Sequence, residues 1–319
     1  MINSMKKIIV LILSGVMLCS LEACGSAKNS SDISLPIEES ESSEDVGTSM
    51  INSAGEGVSE SESELIGKTI INEEGMTLAE RISVPEGYTR TDAETGSLAE
   101  FLRDFPLKEA GSDVLLYNGS SKRNQSAHVA VFDLPIEEYD LQQCADSIMR
   151  VYAEYYWSLG QYDKIAFHFT NGFLAEYSKW RDGYRITVDG NAVSWNKSAS
   201  FDDSYECFVK FMKIVFTYAG TLSMDKEAEK IELSDMEVGD VFLYGASPGH
   251  VVMIVDVCEN ENGKKAFLLG QGYMPAQEFH LLKNNKHAED PWYYEDEVEY
   301  PFITPEYTFH EGTLKRLLY

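Results

Sequence analysis

Basic residues are the scarce class in this 319-residue chain. Lys and Arg number 26 against 53 Asp and Glu, a formal charge of -27. Nucleic-acid phosphates and anionic lipid headgroups repel such a chain, so neither is expected as a partner. The charge leaves neutral or cationic ligands, and it also serves solubility. Metal and nucleotide motifs are missing too. The sequence has no H-E-x-x-H, no C-x-x-C, no P-loop and no dinucleotide fingerprint. Its histidines form no metal set: His280 and His287 stand seven apart in a polar stretch, and His128, His168 and His310 are isolated. No metal and no cofactor is expected. The apolar run Ile8 to Cys19 is about a dozen residues, short of the ~20 of an ordinary membrane span.

That short run has the character of an export signal. Lys6 and Lys7 precede it, and Leu21-Glu22-Ala23-Cys24-Gly25 follows. The last segment resembles a bacterial lipobox, with Glu22 a departure from the usual small or apolar residue. The resemblance implies cleavage before Cys24, a lipid on Cys24 and an extracytoplasmic protein held at the cell membrane. Residues 1–23 are then the signal. Residues 24–64 carry the lipidated cysteine and an acidic tether rich in Ser and Glu. From Gly25 to Glu64 the tether holds ten acidic residues against one lysine, with no aromatic residue. It cannot bury enough apolar surface to offset its conformational entropy. Residues 65–319 have globular composition and are read as one domain.

Cysteine is also sparse. Of five, Cys19 leaves with the signal and Cys24 takes lipid, which leaves Cys144, Cys207 and Cys258. An odd number in an exported protein implies at least one free thiol or an intermolecular bridge. A Cys207–Cys258 disulfide with Cys144 free fits a reactive Cys144.

The periodicity predicts an α+β fold. Ser97 caps a short helix, Leu98 to Phe105, before Pro106. Val114 to Tyr117 and His128 to Leu134 read as strands around a turn at Asn118-Gly119. Asp140 is placed as the N-cap of a central amphipathic helix, with Gln143 completing a capping box. Leu141, Cys144, Ala145, Ile148, Tyr152 and Tyr155 make its apolar stripe. A second helix runs from Tyr205 to Tyr218 and ends at Gly220. Strands at Gly239 to Tyr244, His250 to Val257 and Lys265 to Leu269 follow, consecutive and antiparallel.

Chemistry centres on Cys144 near the start of a helix. Free amides and the positive dipole end favour a thiolate there. His250 opens an apolar strand after Pro248-Gly249, and Gln271 ends the return strand 21 residues on. A glutamine amide oxygen can accept the imidazole N–H and fix its tautomer. Each residue also has a plain reading: Cys144 as a small core residue, His250 as a loop-edge histidine, Gln271 as a satisfied strand end. Gln143 is either an amide near an oxyanion or only a capping partner. Asp256 shares a strand face with His250 but lies about 20 Å along it at the standard rise, too far to orient the ring. Trp180, Trp195, Trp292, Tyr293 and Tyr294 suit core packing better than a cleft. A thiol at a helix start, a later strand histidine and a polar residue on the next strand form the layout of a papain-like cysteine hydrolase.

Several motifs carry a family resemblance. Gln142-Gln143-Cys144-Ala145-Asp146 with Arg150, Gly239-Asp240-Val241-Phe242 with Pro248-Gly249-His250, Leu268 to Glu278, and Thr304 to Phe309 resemble the family called domain of unknown function 4846, over Ile82 to Arg316. That family carries no established activity. From Asp140 to Tyr273 the chain is also similar to NlpC-type and CHAP-type cell-wall peptidases. This implies an NlpC-like core, with the Cys-bearing helix packed on an antiparallel sheet and the middle section inserted. It also implies Cys144 as nucleophile, His250 as base and Gln271 as orienting residue. The expected function is amide hydrolysis on peptide or peptidoglycan, the alternative a non-catalytic lipoprotein that binds cell wall or another ligand.

Overall fold

An unbroken apolar strand needs cover on both faces, and the strand that begins at His250 finds it at the middle of a sheet. The computed structural model describes residues 69–319; the expected signal, Cys24 and the tether lie outside the described residues. The helices are α1 (Leu78–Arg81), α2 (Leu98–Arg103), α3 (Cys144–Ser158), α4 (Tyr177–Arg181), α5 (Tyr205–Tyr218) and α6 (Thr221–Lys226). The strands before the central hairpin are β1 (Tyr88–Arg90), β2 (His128–Val131), β3 (Ala166–His168), β4 (Leu174–Glu176), β5 (Tyr184–Asp189), β6 (Ala192–Lys197) and β7 (Ala228–Lys230). After them come β8 (Val241–Tyr244), β9 (His250–Asn260), β10 (Lys265–Gln271), β11 (His280–Leu282), β12 (Tyr293–Tyr294), β13 (Phe302–Ile303), β14 (Thr308–Phe309) and β15 (Leu314–Leu317).

The main sheet is antiparallel throughout, in the order β2-β11-β10-β9-β8-β15-β7, with β1 also on β9 and β12 on β10. The fold is α+β, and β8, β9 and β10 are consecutive neighbours as expected. Alternation along β9 sends Val251, Met253 and Val255 to a core shared with α3 and α5. Val252 and Ile254 turn to a second core with Phe242, Phe267, Phe302 and Phe309. Helix α3 packs against β9 and β10. It is buried on most of its circumference, Arg150 included, which pairs with Glu154 and Glu137. The segment between α3 and β8 folds into two small hairpins, β3–β4 and β5–β6, with α4, α5 and α6.

Several local expectations change. Val114 to Tyr117 forms isolated bridges, Leu115 to Ser121 and Leu116 to Gln277, and not a strand. Gly220 does not simply end α5. Ala219 is its C-cap, and Gly220 is the N-cap of the unexpected α6. Cys207 and Cys258 form no disulfide; both are free and buried, like Cys144. Asp256 does not share a face with His250 through simple alternation. A bulge pairs Leu268 with Asp256 but Leu269 with Ile254, leaving Val255 as the extra residue. Asp256 turns to Arg90 Nε and Arg103 Nε, each at 2.7 Å.

Candidate functional site

Helix α3 begins at Cys144 itself, not at Asp140. Gln143 is the N-cap, and the Asp146 carboxylate accepts the Gln143 N–H at 3.1 Å. Asp140 is withdrawn from capping by other bonds. Its Oδ1 accepts the backbone N–H of Ala276 at 2.7 Å and the side-chain amide of Gln143 at 2.9 Å. The shift puts the thiol in the first helical position, where backbone N–H groups have no partner inside the helix. It also commits the Gln143 side chain to Asp140.

Two glycines let the loop between β8 and β9 pack closely on α6. The loop from Gly245 to Gly249 is pressed by α6: a Cβ on Gly249 would stand 2.4 Å from Thr221 Oγ1, and one on Gly245 2.4 Å from the Asp225 side chain. Thr221 Oγ1 donates to the Ala246 carbonyl at 2.8 Å. Tyr244 pairs with His250 to close the hairpin. This loop has G-x-S-x-G spacing, Gly245-Ala246-Ser247-Pro248-Gly249. It joins two antiparallel strands, however, whereas a nucleophile elbow needs a strand-to-helix turn.

His250 is 2 % exposed, and its Nε2 lies 3.0 Å from Gln271 Oε1, the contact expected from the hairpin. Tyr273 and Tyr307 pack on the imidazole with centroids at 4.8 and 4.6 Å. Burial lowers the His250 pKa to about 4 against the help of the Gln271 bond. Among the described residues its Nδ1 makes no hydrogen bond, and Nδ1 is not one of the sealed, unpartnered atoms of the interior.

Cys144 is 6 % exposed and pushed up to about 11, by burial first and by Asp146 second. The amides of Ala145, Cys144 and Val251 act the other way. Val251 directly follows His250, so the thiol sits at the opening of β9. Burial raises Tyr273 and Tyr307 first, Glu306 adds to the one and Tyr244 to the other, and Cys144 is a smaller neighbour of both. The two tyrosines therefore flank thiol and imidazole alike. No hydrogen bond joins Sγ to the ring among the described residues, and at neutral pH both groups rest uncharged. Asp146 is also held well above the carboxylate range by burial, with Oδ1 unpartnered.

A cleft of about 320 Å³ opens on this helix start. Cys144, Ala145 and Asp146 line it, with Phe216 and Thr217 of α5, Leu222 of α6 and the loop to Gly249. No Lys, Arg or His lines it.

Behind His250 lies a buried polar chain that sequence reasoning missed. Gln271 Nε2 donates to Glu306 Oε2 at 2.7 Å and lies 3.3 Å from His280 Nε2. Lys122 Nζ is paired with Glu306 and lies 3.1 Å from His280 Nε2. His280 Nδ1 is 2.8 Å from the Glu278 carbonyl. Burial would raise Glu306, but its bonds to this cluster hold it down at about 2. Glu306 belongs to the Thr304 to Phe309 motif, a signal that was available. Lys122 sits in a polar turn with no signal at all. His280, set by the sequence in a polar stretch seven residues from His287, is instead a buried residue of β11. Among the described residues no group of three or more His, Cys, Asp or Glu side chains is placed to hold a metal. The tryptophans and tyrosines are packing elements: Trp292 and Trp180 are buried in the core shared with α3 and α5, Trp195 and Tyr294 are partly buried against it, and Tyr293 is buried in the second core.

A family model described as domain of unknown function (4846) matches residues 78–316. The chain belongs to that family. Neither the curated proteins nor the solved structures contain a match to it.

Proposed function

For this member of the family we propose an amide-bond hydrolase of papain-like type, with Cys144 as nucleophile, His250 as base and Gln271 as the residue that orients the ring. The reading includes a lipid anchor on Cys24 at the extracytoplasmic face and a peptide or peptidoglycan substrate. The observation that carries it is the bond from His250 Nε2 to Gln271 Oε1 at the end of the sheet that meets the first turn of α3. An amide oxygen only accepts, so Nε2 carries the proton and Nδ1 keeps its lone pair.

The neutral pair suits general-base chemistry better than a preformed ion pair. His250 Nδ1 takes the Sγ proton as sulfur attacks the carbonyl carbon. The tetrahedral oxyanion is met by first-turn amides of α3. The C–N bond breaks as the imidazolium gives its proton to the leaving amine. Water then attacks the thioester, losing a proton to Nδ1, and the acid product and free thiol are released. Hydrogen bonds of this kind are often long before substrate binds, which fits the absence of a direct Cys144–His250 bond. The cleft lining holds no cation, which favours neutral or cationic substrates over anionic ones.

The raised thiol favours a second reading, a binding protein on a hydrolase-like core that holds wall fragments in the cleft without cleaving them. One experiment separates the two. Peptidoglycan digests and peptide amides are incubated with the protein while amine release and an acyl adduct on Cys144 are followed by mass spectrometry. Turnover should vanish in Cys144→Ala and fall by at least about 100-fold in His250→Ala. Full turnover in Cys144→Ala ends the hydrolase reading. Saturable binding of the digest that survives both substitutions, with no turnover in the wild type, establishes the second.

A further inference from the structure

A glutamine is a symmetric orienting residue. Flipped by 180°, its amide would offer N–H where it now offers oxygen, and the imidazole would take the opposite tautomer. Something must fix the direction. The buried chain behind Gln271 has two ends of fixed sense. A lysine ammonium only donates, and a backbone carbonyl only accepts. The Glu278 carbonyl requires His280 Nδ1 to donate, so His280 Nε2 is an acceptor, consistent with Lys122 Nζ at 3.1 Å. Lys122 also donates a hydrogen bond to Glu306, which as a carboxylate only accepts. Gln271 must then turn its N–H₂ toward Glu306 and His280, at 2.7 and 3.3 Å, and its oxygen toward His250. Every hydrogen-bond direction in the chain is determined. Lys122 and His280 are buried and the Glu306 carboxylate nearly so, so water does not substitute for a missing member.

We propose that Glu306, clamped by Lys122, is the positioning residue that locks the Gln271 amide and so leaves His250 Nδ1 as the free base. The role of that base rests on the hydrolase reading above; the locked tautomer does not.

The test is ¹⁵N NMR of histidine-labelled protein at neutral pH, paired with iodoacetamide labelling of Cys144 read by mass spectrometry. The wild type should show His250 as a single Nε2–H tautomer with a pyridine-type Nδ1. Glu306→Ala should lose that single state and slow Cys144 labelling by at least roughly tenfold. Adding Gln271→Glu to Glu306→Ala supplies an acceptor that cannot flip, and should restore both signals. A merely structural role for Glu306 would not be rescued this way. An Nδ1–H tautomer in the wild type overturns the proposal with no variant needed, so a Glu306→Ala protein that fails to fold does not protect it. An unchanged tautomer in folded Glu306→Ala overturns it as well. An Nε2–H wild type whose Cys144 labelling ignores His250→Ala supports the lock while removing the hydrolase reading.

Discussion

Gly272 lies directly against Ser147. A Cβ at position 272 would stand 2.1 Å from the Ser147 hydroxyl and 2.9 Å from the Gln143 carbonyl. The residue after Gln271 therefore touches the first turn of α3, and the absence of a side chain there lets sheet and helix meet. Gly272→Ala is expected to cost about 1–3 kcal/mol, as overpacking of a filled site does. It should also slow any Cys144-dependent reaction, because the turn that carries the thiol must shift. Chemical denaturation and thiol labelling read the two effects, and wild-type values in both would show that the contact is soft.

Asp256 is a structural carboxylate. It is fully buried between two guanidinium groups, Arg90 of β1 and Arg103 of α2. Removing it leaves Arg103 charged, largely buried and without that partner. Asp256→Ala should cost about 3–5 kcal/mol of stability. The same variant, if rescued by low temperature, should keep the His250 tautomer. A variant as stable as wild type would mean the arginines find other partners.

Stability should fall in acid in two steps. His250 and His280 are lowered to about 4 from 6.5, so the unfolded chain binds protons first. Their contribution is present above pH 6.5 and lost as pH falls toward 4, on the order of a few kcal/mol for each fully buried ring. Glu306, held at about 2, adds a loss between pH 4.5 and 2. At the alkaline end Cys144 reverses the sign: the folded thiol stays protonated to about 11, so stability declines from pH 9 upward. Urea midpoints across pH 3 to 10 measure all three. A midpoint level from pH 7 to 4 would contradict the buried neutral histidines.

Turnover should follow a different curve. If neutral thiol and neutral imidazole are the working forms, the rate is level across neutral pH and falls only below about 4. A bell centred near neutrality would instead indicate an ion pair formed on substrate binding.

Local pattern carried much of this architecture. Helix α5 spans Tyr205–Tyr218 as its periodicity predicts, and β8, β9 and β10 pair in chain order. The Gln271–His250 contact was legible because a hairpin places its two ends side by side. The start of α3 was not. Asp140 is a better cap than Gln143 by type, and what displaced it is an amide 136 residues away, at Ala276. The pairing of Lys122 with Glu306 was illegible for the same reason: their 184-residue separation is closed by the fold alone. Asp256 was misplaced by one residue of bulge, which alternation cannot foresee.

The three cysteines of the described residues are all unbridged. The structure from residue 69 onward thus contains no covalent cross-link between distant parts of the chain, and its assembly involves no oxidative step. Packing and hydrogen bonds alone hold the described residues together, and a thiol reductant is expected to leave their stability unchanged.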